Sequence, residues 1–343
     1  MKIIIIPCLV LGAILSLVLV CQAEFVYVGH EGLNPFISAY SVASDGTLTS
    51  IGSFAAGNVP FSVAVNPVAK VLYVVNEGDN NVLTYSIASD GTLTLIGASD
   101  TGTSPESVAV DPTGKFVYVT NLGGTSSISE YSVASNGTLT PIGSIVFAQR
   151  IGPQSVAVDP KAKFVYVTNV FIDTVTAYAI GPNGTLSSIG SFATGSLPFG
   201  LVVDPSGKFV YVANSAGNSV SGYHIGSKGG LTPNPNSPFA TGAAPLYVAV
   251  DPAGKFVYVA NSNGQSVSAY RILGNGGLTP IGSFATGRNP IGIAVDLTGK
   301  FVYVTNQTDG TVSAYSVNSK GMLTSIGSPV AAGSLPISVA ISP

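Results

Sequence analysis

The side chains that could perform chemistry in this chain are a small set of charged residues outside its regular pattern. Asp, Glu, Lys and Arg together make up only 8 % of the 343 residues. Two of the three arginines, Arg150 and Arg288, could each hold a carboxylate or a phosphate through paired hydrogen bonds. Carboxylates or a histidine beside them could move a proton. The candidate ligand-binding residues are therefore His30, Glu31, Glu77, Glu106, Arg150 and Arg288.

An alternative explanation is that these residues only solvate exposed loops. Charged residues collect on the surface of any protein, so a cluster of a few charges could arise by chance. Asp79, Asp173 and Asp309 fall in loops of the same kind. His224 directly follows Tyr223 at the end of a strand-like segment, and we expect it to lie on the surface.

Composition and motifs exclude several classes of function. The net charge of −3 argues against nucleic acid as a partner, because phosphate backbones require a basic face. No Cys or His cluster has the spacing of metal ligands, and the loop 77–81 lacks the spacing of a calcium-binding EF-hand. Neither a glycine-rich phosphate loop nor a nucleophile elbow is present. We therefore predict no cofactor and no metal.

Seven copies of a Phe-Val-Tyr-Val-like motif organise the elements that must position the charged residues. Their tyrosines, 45 to 48 residues apart, are Tyr27, Tyr73, Tyr118, Tyr166, Tyr211, Tyr258 and Tyr303. A repeat of this length, rich in Val, Thr, Ser and Gly, is typical of a propeller blade with four strands. The sequence predicts an all-β fold in which residues 24–343 form a single domain, a seven-bladed β-propeller of four-stranded antiparallel blades.

One repeat, residues 245–288, shows the four strand segments A to D. Strand A covers 245–250, strand B 256–260, strand C 266–270 and strand D 278–283. The A–B turn has the sequence Asp-Pro-Ala-Gly-Lys and the C–D turn is Gly-Gly, both of which suit tight turns. The Asp and Lys residues of these turns are expected to cap the turn and to aid solubility.

The ends of the chain carry complementary parts of one blade. The chain after residue 23 begins with a B strand and ends with an A strand at 336–341. We predict that this C-terminal strand joins the N-terminal blade and closes the ring, which removes open sheet edges.

Tyrosine positions distinguish blade packing from ligand binding. Fourteen of the 15 tyrosines recur at fixed positions in strands B and C, which favours packing between blades over sugar stacking. Tyr247 alone is off this pattern.

In such a propeller the B–C loops and the D-to-A connections surround the mouth of the central channel. All six candidate residues are placed on this face by the repeat.

The run Asp111–Asn121, with close copies at 204–214 and 251–261, resembles the YVTN-type propeller repeat. The resemblance covers residues 24–343 and extends to lactonase-like propellers, a family that includes 6-phosphogluconolactonases and a muconate-lactonising enzyme. It implies the fold, and it implies that an enzyme would use His, Arg and Glu at the mouth. The matched residues build turns and strands, so no catalytic residue is carried over. In a lactonase, Arg150 could polarise the ester carbonyl, with Glu106 or His30 as the base.

The first 23 residues differ from the rest of the chain. Lys2 precedes the apolar stretch 3–20, and Cys21-Gln22-Ala23 supplies a cleavage point, as in a signal peptide. About 18 apolar residues could instead anchor the chain in a membrane, and a lipid on Cys21 is a further alternative. We expect an exported protein, which would be periplasmic, secreted or on the cell surface. Both cysteines, Cys8 and Cys21, fall in this segment.

These observations favour a monomeric, exported binding scaffold that holds a small molecule or a protein at its loop-bearing face. Low charge, the absence of Trp and near-identical blades support this interpretation. The alternative is a lactone hydrolase acting at the channel mouth. A self-associating surface-layer protein is a third interpretation, since similar repeats occur in such proteins.

Overall fold

Seven antiparallel sheets form the described part of the chain. Six are each formed by one continuous repeat, and the seventh combines strands from the two ends of the chain. The structure is a computed structural model in which residues 24–32 and 35–342 are described. The predicted signal peptide, with Cys8 and Cys21, lies outside these residues. No helix in the described part has the length and apolar character to cross a membrane.

The strands are numbered in chain order and fall into seven blades. Blade 1 contains β1 (Phe25–His30), β2 (Phe36–Val42) and β3 (Leu48–Ala55). Blade 2 contains β4 (Pro60–Asn66), β5 (Val71–Asn76), β6 (Asn81–Ile87) and β7 (Leu93–Asp100). Blade 3 contains β8 (Pro105–Val110), β9 (Phe116–Asn121), β10 (Ser127–Val133) and β11 (Leu139–Val146). Blade 4 contains β12 (Pro153–Val158), β13 (Phe164–Asn169), β14 (Thr174–Ile180) and β15 (Leu186–Ala193). Blade 5 contains β16 (Pro198–Val203), β17 (Phe209–Asn214), β18 (Ser219–Ile225), β19 (Leu231–Pro233) and β20 (Phe239–Ala240). Blade 6 contains β21 (Pro245–Val250), β22 (Phe256–Asn261), β23 (Ser266–Ile272) and β24 (Leu278–Ala285). Blade 7 contains β25 (Pro290–Val295), β26 (Phe301–Asn306), β27 (Thr311–Val317), β28 (Leu323–Ser325) and β29 (Val330–Ala331). The last strand, β30 (Pro336–Ser342), belongs to blade 1.

Burial explains why the B strands read as continuous apolar runs while the D strands do not. Strand β17 is buried at all six positions, because neighbouring blades cover both of its faces. In contrast, β24 at the outer edge of its blade exposes five of its eight residues, among them Thr279 and Ser283. The predicted seven-bladed fold, with four-stranded antiparallel sheets, is confirmed.

The C-terminal strand closes the ring as predicted. Strand β30 pairs antiparallel with β1, from Phe25 opposite Ser342 to His30 opposite Pro336. The seven A strands (β4, β8, β12, β16, β21, β25 and β30) each contact the A strands of the two adjacent blades. Ring closure therefore gives the innermost strands a continuous set of neighbours around the channel.

The B-strand tyrosines tie adjacent blades together. Each hydroxyl donates to a backbone carbonyl in the C–D turn of the next blade, in the pairs Tyr27–Gly91, Tyr73–Gly137, Tyr118–Gly184, Tyr166–Gly229, Tyr211–Gly276, Tyr258–Gly321 and Tyr303–Gly46. The last of these pairs joins blade 7 to blade 1. These contacts bear out the packing role that the repeat indicated.

Removing one such hydroxyl is expected to weaken the ring. Tyr118 is fully buried and donates to the Gly184 carbonyl at 2.8 Å. Tyr118→Phe would leave that buried carbonyl without this donor, so the free energy of unfolding should fall by about 1–2 kcal/mol. Denaturant unfolding measures the loss. Ser86→Ala is the control, because Ser86 makes only an exposed hydrogen bond; equal losses in both variants would contradict the role of the tyrosine.

The aspartates of the A–B turns are structural, as expected. Asp204 accepts hydrogen bonds from the backbone N–H groups of Ser206, Lys208 and Phe209 at 2.6–3.0 Å. The equivalents Asp111, Asp159, Asp251 and Asp296 are also buried and accept turn N–H groups. These carboxylates satisfy turn donors on the face opposite the candidate residues.

Candidate functional site

Every A strand begins with the same irregular backbone, which defines one ring of side chains. A residue with positive φ precedes the opening proline, for example Ser104 (φ 49°) before Pro105. The pairing with strand B then shifts register, in blade 3 between Pro105 and Ser107. Such bulges re-aim a side chain away from the regular pleat. The residue after the proline forms what we call the mouth ring, with the members Phe61, Glu106, Gln154, Phe199, Leu246, Ile291 and Ile337.

Glu106 and Gln154 form the polar part of the mouth ring. Gln154 Nε2 donates to Glu106 Oε2 at 2.8 Å, linking blades 3 and 4. Both side chains are almost fully buried, and Glu106 is 5 % exposed. The pKa of Glu106 is raised to about 7, chiefly by burial. The hydrogen bond from Gln154 lowers the pKa, and the nearby Glu77 and Glu31 charges raise it. Glu106 can therefore gain or lose a proton near neutral pH.

Tyr247 lies near enough to Glu106 for the Glu106 charge to act on it. Its strand β21 belongs to blade 6, which is three blades from the blade of Glu106 in a ring of seven. Burial and the Glu106 charge both raise the pKa of Tyr247 above its usual value, so the hydroxyl keeps its proton. Tyr247 packs edge-on against Phe199, with ring centroids 5.8 Å apart. The Tyr247 ring can occupy this position because residue 200 is glycine. A Cβ at Gly200 would lie 2.7 Å from Tyr247 Cδ1, which is too close for a normal contact.

Glu31 and Glu77 add negative charge beside Glu106. Both are partly buried, and Gln307 Nε2 donates to Glu31 Oε2 at 3.3 Å. Burial raises the pKa of Glu77, and the Glu31 charge adds to the shift. Three of the predicted candidates therefore lie close enough for their charges to interact.

The two candidate arginines are engaged in other contacts. Arg288 Nε lies 2.6 Å from Asp309 Oδ1, and the Arg288 side chain is 64 % exposed. The guanidinium carbon of Arg150 sits 4.8 Å from the centre of the Phe171 ring, in a cation–π contact. Neither group interacts with Glu106 in the described contacts.

His30 occupies a different place from the predicted loop position. It is the last residue of β1 and is fully buried, because it fills the position that is asparagine in the other six blades: Asn76, Asn121, Asn169, Asn214, Asn261 and Asn306. Its ring stacks on Phe36 at 4.2 Å, and Nδ1 lies 3.2 Å from the Ser334 carbonyl oxygen. Burial lowers the pKa of His30 to about 4.

The His30→Asn variant is expected to change how stability depends on pH. The folded-state pKa of His30 lies below its unfolded value of about 6.5, so the unfolded chain takes up the proton first and wild-type stability is lost as pH falls from 6.5 towards 4. From pH 7 to pH 4 the difference in unfolding free energy should shift by about 3 kcal/mol in favour of the variant. Chemical denaturation across this range measures the shift. His224→Asn, at an exposed position, is the comparison variant; an equal shift in both variants would refute the assignment to His30.

The remaining loop charges hold loops together. Asp79 accepts from the Asn58 N–H at 2.8 Å, and Asp173 accepts from the Leu197 N–H at 2.7 Å. Asp309 accepts from the Arg288 N–H in the same way. His224 is exposed, as expected.

Three relevant residues were missed by the candidate set. Gln154 and Tyr247 carried a usable signal, because one shares the repeat position of Glu106 and the other is the single off-pattern tyrosine. Glu130 replaces a small residue of the repeat in strand C; it is buried and accepts from the Leu186 N–H at 3.0 Å. Glu130 joins blades 3 and 4 and is not part of the mouth ring.

Other sites in the described residues offer less chemistry. No three His, Cys, Asp or Glu side chains within residues 24–32 and 35–342 are placed to hold a metal ion. Two grooves, of about 490 and 160 Å³, lie between blades at equivalent repeat positions around Tyr131 and Tyr315. Repeat residues line both, and Asp100 is their one charged residue.

Comparisons with known proteins agree on the fold. The family model described as "Lactonase, 7-bladed beta-propeller" matches residues 25–156, 146–245 and 232–340. No curated protein matches the chain. A putative 6-phosphogluconolactonase from Bacteroides uniformis has a TM-score of 0.83 at 19 % identity, covering 93 % of this chain and 99 % of its own. A second, from Bacteroides fragilis, has a TM-score of 0.82 at 21 % identity, covering 95 % and 99 %.

The periplasmic gluconolactonase of Pseudomonas aeruginosa is similar to the same degree, with a TM-score of 0.82 at 18 % identity and coverage of 94 % and 99 %. At these identities the solved structures show the fold alone. The family match, in contrast, extends over nearly all of the described residues. The chain belongs to the lactonase family of seven-bladed β-propellers.

Proposed function

We propose that this protein hydrolyses a lactone at the channel mouth, with Glu106 as the general base. The observation that carries this proposal is a buried carboxyl whose pKa is raised to about 7, held by Gln154 in the ring of A strands. A base with a pKa near the working pH combines the right protonation state with sufficient proton affinity. Family membership supports the reaction class.

The proposed reaction needs two groups that differ in protonation. The Glu106 carboxylate removes a proton from water as the water oxygen attacks the lactone carbonyl carbon. The protonated Tyr247 hydroxyl donates a hydrogen bond to the oxygen that becomes negative. The ring C–O bond then breaks, and the proton held by Glu106 passes to the departing alkoxide, which yields a hydroxy acid. Their opposite roles follow from environments that keep Tyr247 protonated and let Glu106 titrate.

Gln154 is proposed as a positioning residue for the base. It occupies one carboxylate oxygen, Oε2, and so fixes the direction of the other. Arg150, the electrophile suggested by the sequence, stacks on Phe171 instead. Tyr247 is the better supported donor because the Glu106 charge acts on it.

The pH dependence of catalysis provides a direct check. The base must be ionised, so kcat/KM should rise with pH through about 7, the pKa of Glu106, and level off above it. Initial rates of acid release, corrected for spontaneous hydrolysis, measure this profile between about pH 5 and about pH 8.5, a range that brackets that pKa. An enzymatic rate that is flat across this range would rule out Glu106 as the base.

The experiment that tests the function is a panel of sugar and acyl lactones, followed by acid release at constant pH with residues 24–343. Turnover that depends on Glu106 supports the hydrolase. Folded protein without turnover would leave the binding scaffold predicted from the sequence as the better account. Surface-layer assembly would instead show as concentration-dependent self-association.

We also propose that the propeller acts outside the cytoplasm. Support comes from residues 1–23, whose single charge, apolar stretch and small residues are typical of a signal peptide. Fractionation of cells that express the full chain or residues 24–343 tests this: only the full chain should leave the cytoplasm. Equal cytoplasmic retention of both would contradict export.

A further inference from the structure

The charges at the channel mouth narrow the class of substrate. Glu31, Glu77 and Glu106 interact with one another there. Of the cations in the described residues, only Arg150 and Arg288 lie in loops of the mouth face. Arg150 stacks on Phe171, and Arg288 pairs with Asp309. The lysines occupy the A–B and C–D turns of the opposite face, for example Lys208 and Lys228. Arg288 is neutralised by Asp309, and Arg150 is the one mouth-face cation of the described residues left against the three glutamates. An anionic substrate would therefore meet net repulsion.

The rest of the mouth ring is apolar. Five of its seven members are Phe61, Phe199, Leu246, Ile291 and Ile337. They form one continuous arc through blades 5, 6, 7, 1 and 2, while Glu106 and Gln154 form the remaining polar arc in blades 3 and 4. The arc is partly open to solvent, as Phe61, Phe199, Leu246 and Ile291 are only partly buried. A ligand across this ring would place one polar end at Glu106 and an apolar body opposite.

We infer that the substrate is an uncharged lactone with an aliphatic or aromatic substituent rather than a phosphorylated or carboxylated sugar lactone. This inference rests on the proposed function. It follows from two independent features, the excess of carboxylates over cations at the mouth and the apolar arc. The putative 6-phosphogluconolactonases that share the fold are named for a phosphorylated substrate, so the inference separates this chain from them.

Three δ-lactones test the inference: an alkyl δ-lactone such as δ-decalactone, the neutral polar glucono-δ-lactone and the anionic 6-phosphoglucono-δ-lactone. The alkyl lactone should have the highest kcat/KM, at least about tenfold above the anionic one at low salt. Raising the ionic strength from about 0.01 M to about 0.3 M should increase kcat/KM for the anionic lactone and leave the neutral ones nearly unchanged. That salt response reports like-charge repulsion.

Two variants separate the two features. Glu77→Gln removes one carboxylate, so the ratio of anionic to alkyl turnover should rise by about threefold to tenfold. Leu246→Gln introduces the residue that blade 4 carries at the same ring position, which favours correct folding. It should lower kcat/KM for the alkyl lactone about tenfold relative to glucono-δ-lactone, because the substitution removes apolar contact with the alkyl substituent.

The outcomes are distinguishable. Preference for the anionic lactone, or for glucono-δ-lactone over the alkyl lactone, would overturn the substrate class and leave the proposed function standing. Loss of the alkyl preference in Leu246→Gln would support the inference. No enzymatic turnover of any of the three, nor of a wider lactone panel, would refute the proposed function and with it this inference.

Discussion

Glu106→Gln is expected to lower kcat on a lactone by about 10²- to 10⁴-fold, because a general base typically contributes that much. Glutamine keeps the shape of the side chain and can still pair with the Gln154 amide, but it cannot accept a proton from water. Since the buried carboxyl is 5 % exposed and its pKa is raised to about 7, removing it should also help folding at alkaline pH. Steady-state kinetics and thermal unfolding of the same preparation measure both effects.

The stability part of this prediction has a definite sign. The folded-state pKa of Glu106 lies above its unfolded value of 4.5, so the folded chain keeps the proton longer and wild-type stability is lost as pH rises through about 7. Between about pH 4 and about pH 8 the unfolding free energy of Glu106→Gln should gain up to about 3 kcal/mol relative to wild type. His30 acts in the opposite direction over an overlapping range, which makes the wild-type profile flatter than either variant alone.

Glu130→Gln is the matched control for Glu106. Glu130 is also a buried glutamate, 3 % exposed, with a pKa raised by burial. It lies in strand β10, between blades rather than in the mouth ring. We expect kcat to stay within about twofold of wild type in Glu130→Gln, since no proposed step uses this group. Comparable losses in both variants, or full activity in Glu106→Gln, would exclude the assigned base.

Deletion of residues 336–343 is expected to abolish the cooperative fold of the whole ring. Strand β30 supplies the inner strand of blade 1 and contacts the A strands of blades 2 and 7. Its loss would expose the β1 edge and the buried side chains beneath it, including Val26 and Val28. An unpaired edge of this kind also invites association with other chains. Circular dichroism on heating should show no sharp transition, and size-exclusion chromatography should show aggregates.

A permuted chain provides the control for this deletion. Ile341 lies opposite Val26 just as Val250 lies opposite Val257, so residues 336–341 could precede Phe25 through the Asp-Pro-Ala-Gly-Lys turn borrowed from 251–255. This arrangement restores the A–B hairpin that the other blades have, and the melting transition should return. A truncated monomer that melts as cooperatively as wild type would show that closure by β30 is dispensable.

Much of the fold could be predicted because its signals are local and periodic. The strand pattern, the capped A–B turns and the blade-packing tyrosines recur at each repeat, so each copy supports the others. The site was predicted less completely. Glu31, Glu77 and Glu106 do lie together, but Arg288 pairs with Asp309 and His30 is sealed in the core. A charge pattern along the chain does not show which partner each charged group will meet.

The seven blades, the closure of the ring and the face on which loops carry irregular charge can all be read from the order of the residues. They follow from hydrogen-bonding and packing rules that act over a few residues or over one repeat. Which of the residues outside the repeat pattern lie close to one another depends instead on the closed ring. Glu106 and Tyr247 are separated by three blades along the chain, yet the ring brings them near enough for the Glu106 charge to act on Tyr247. Burial then keeps the proton on Tyr247 and raises the pKa of Glu106, an effect that depends on the surrounding low-dielectric packing and not on residue type.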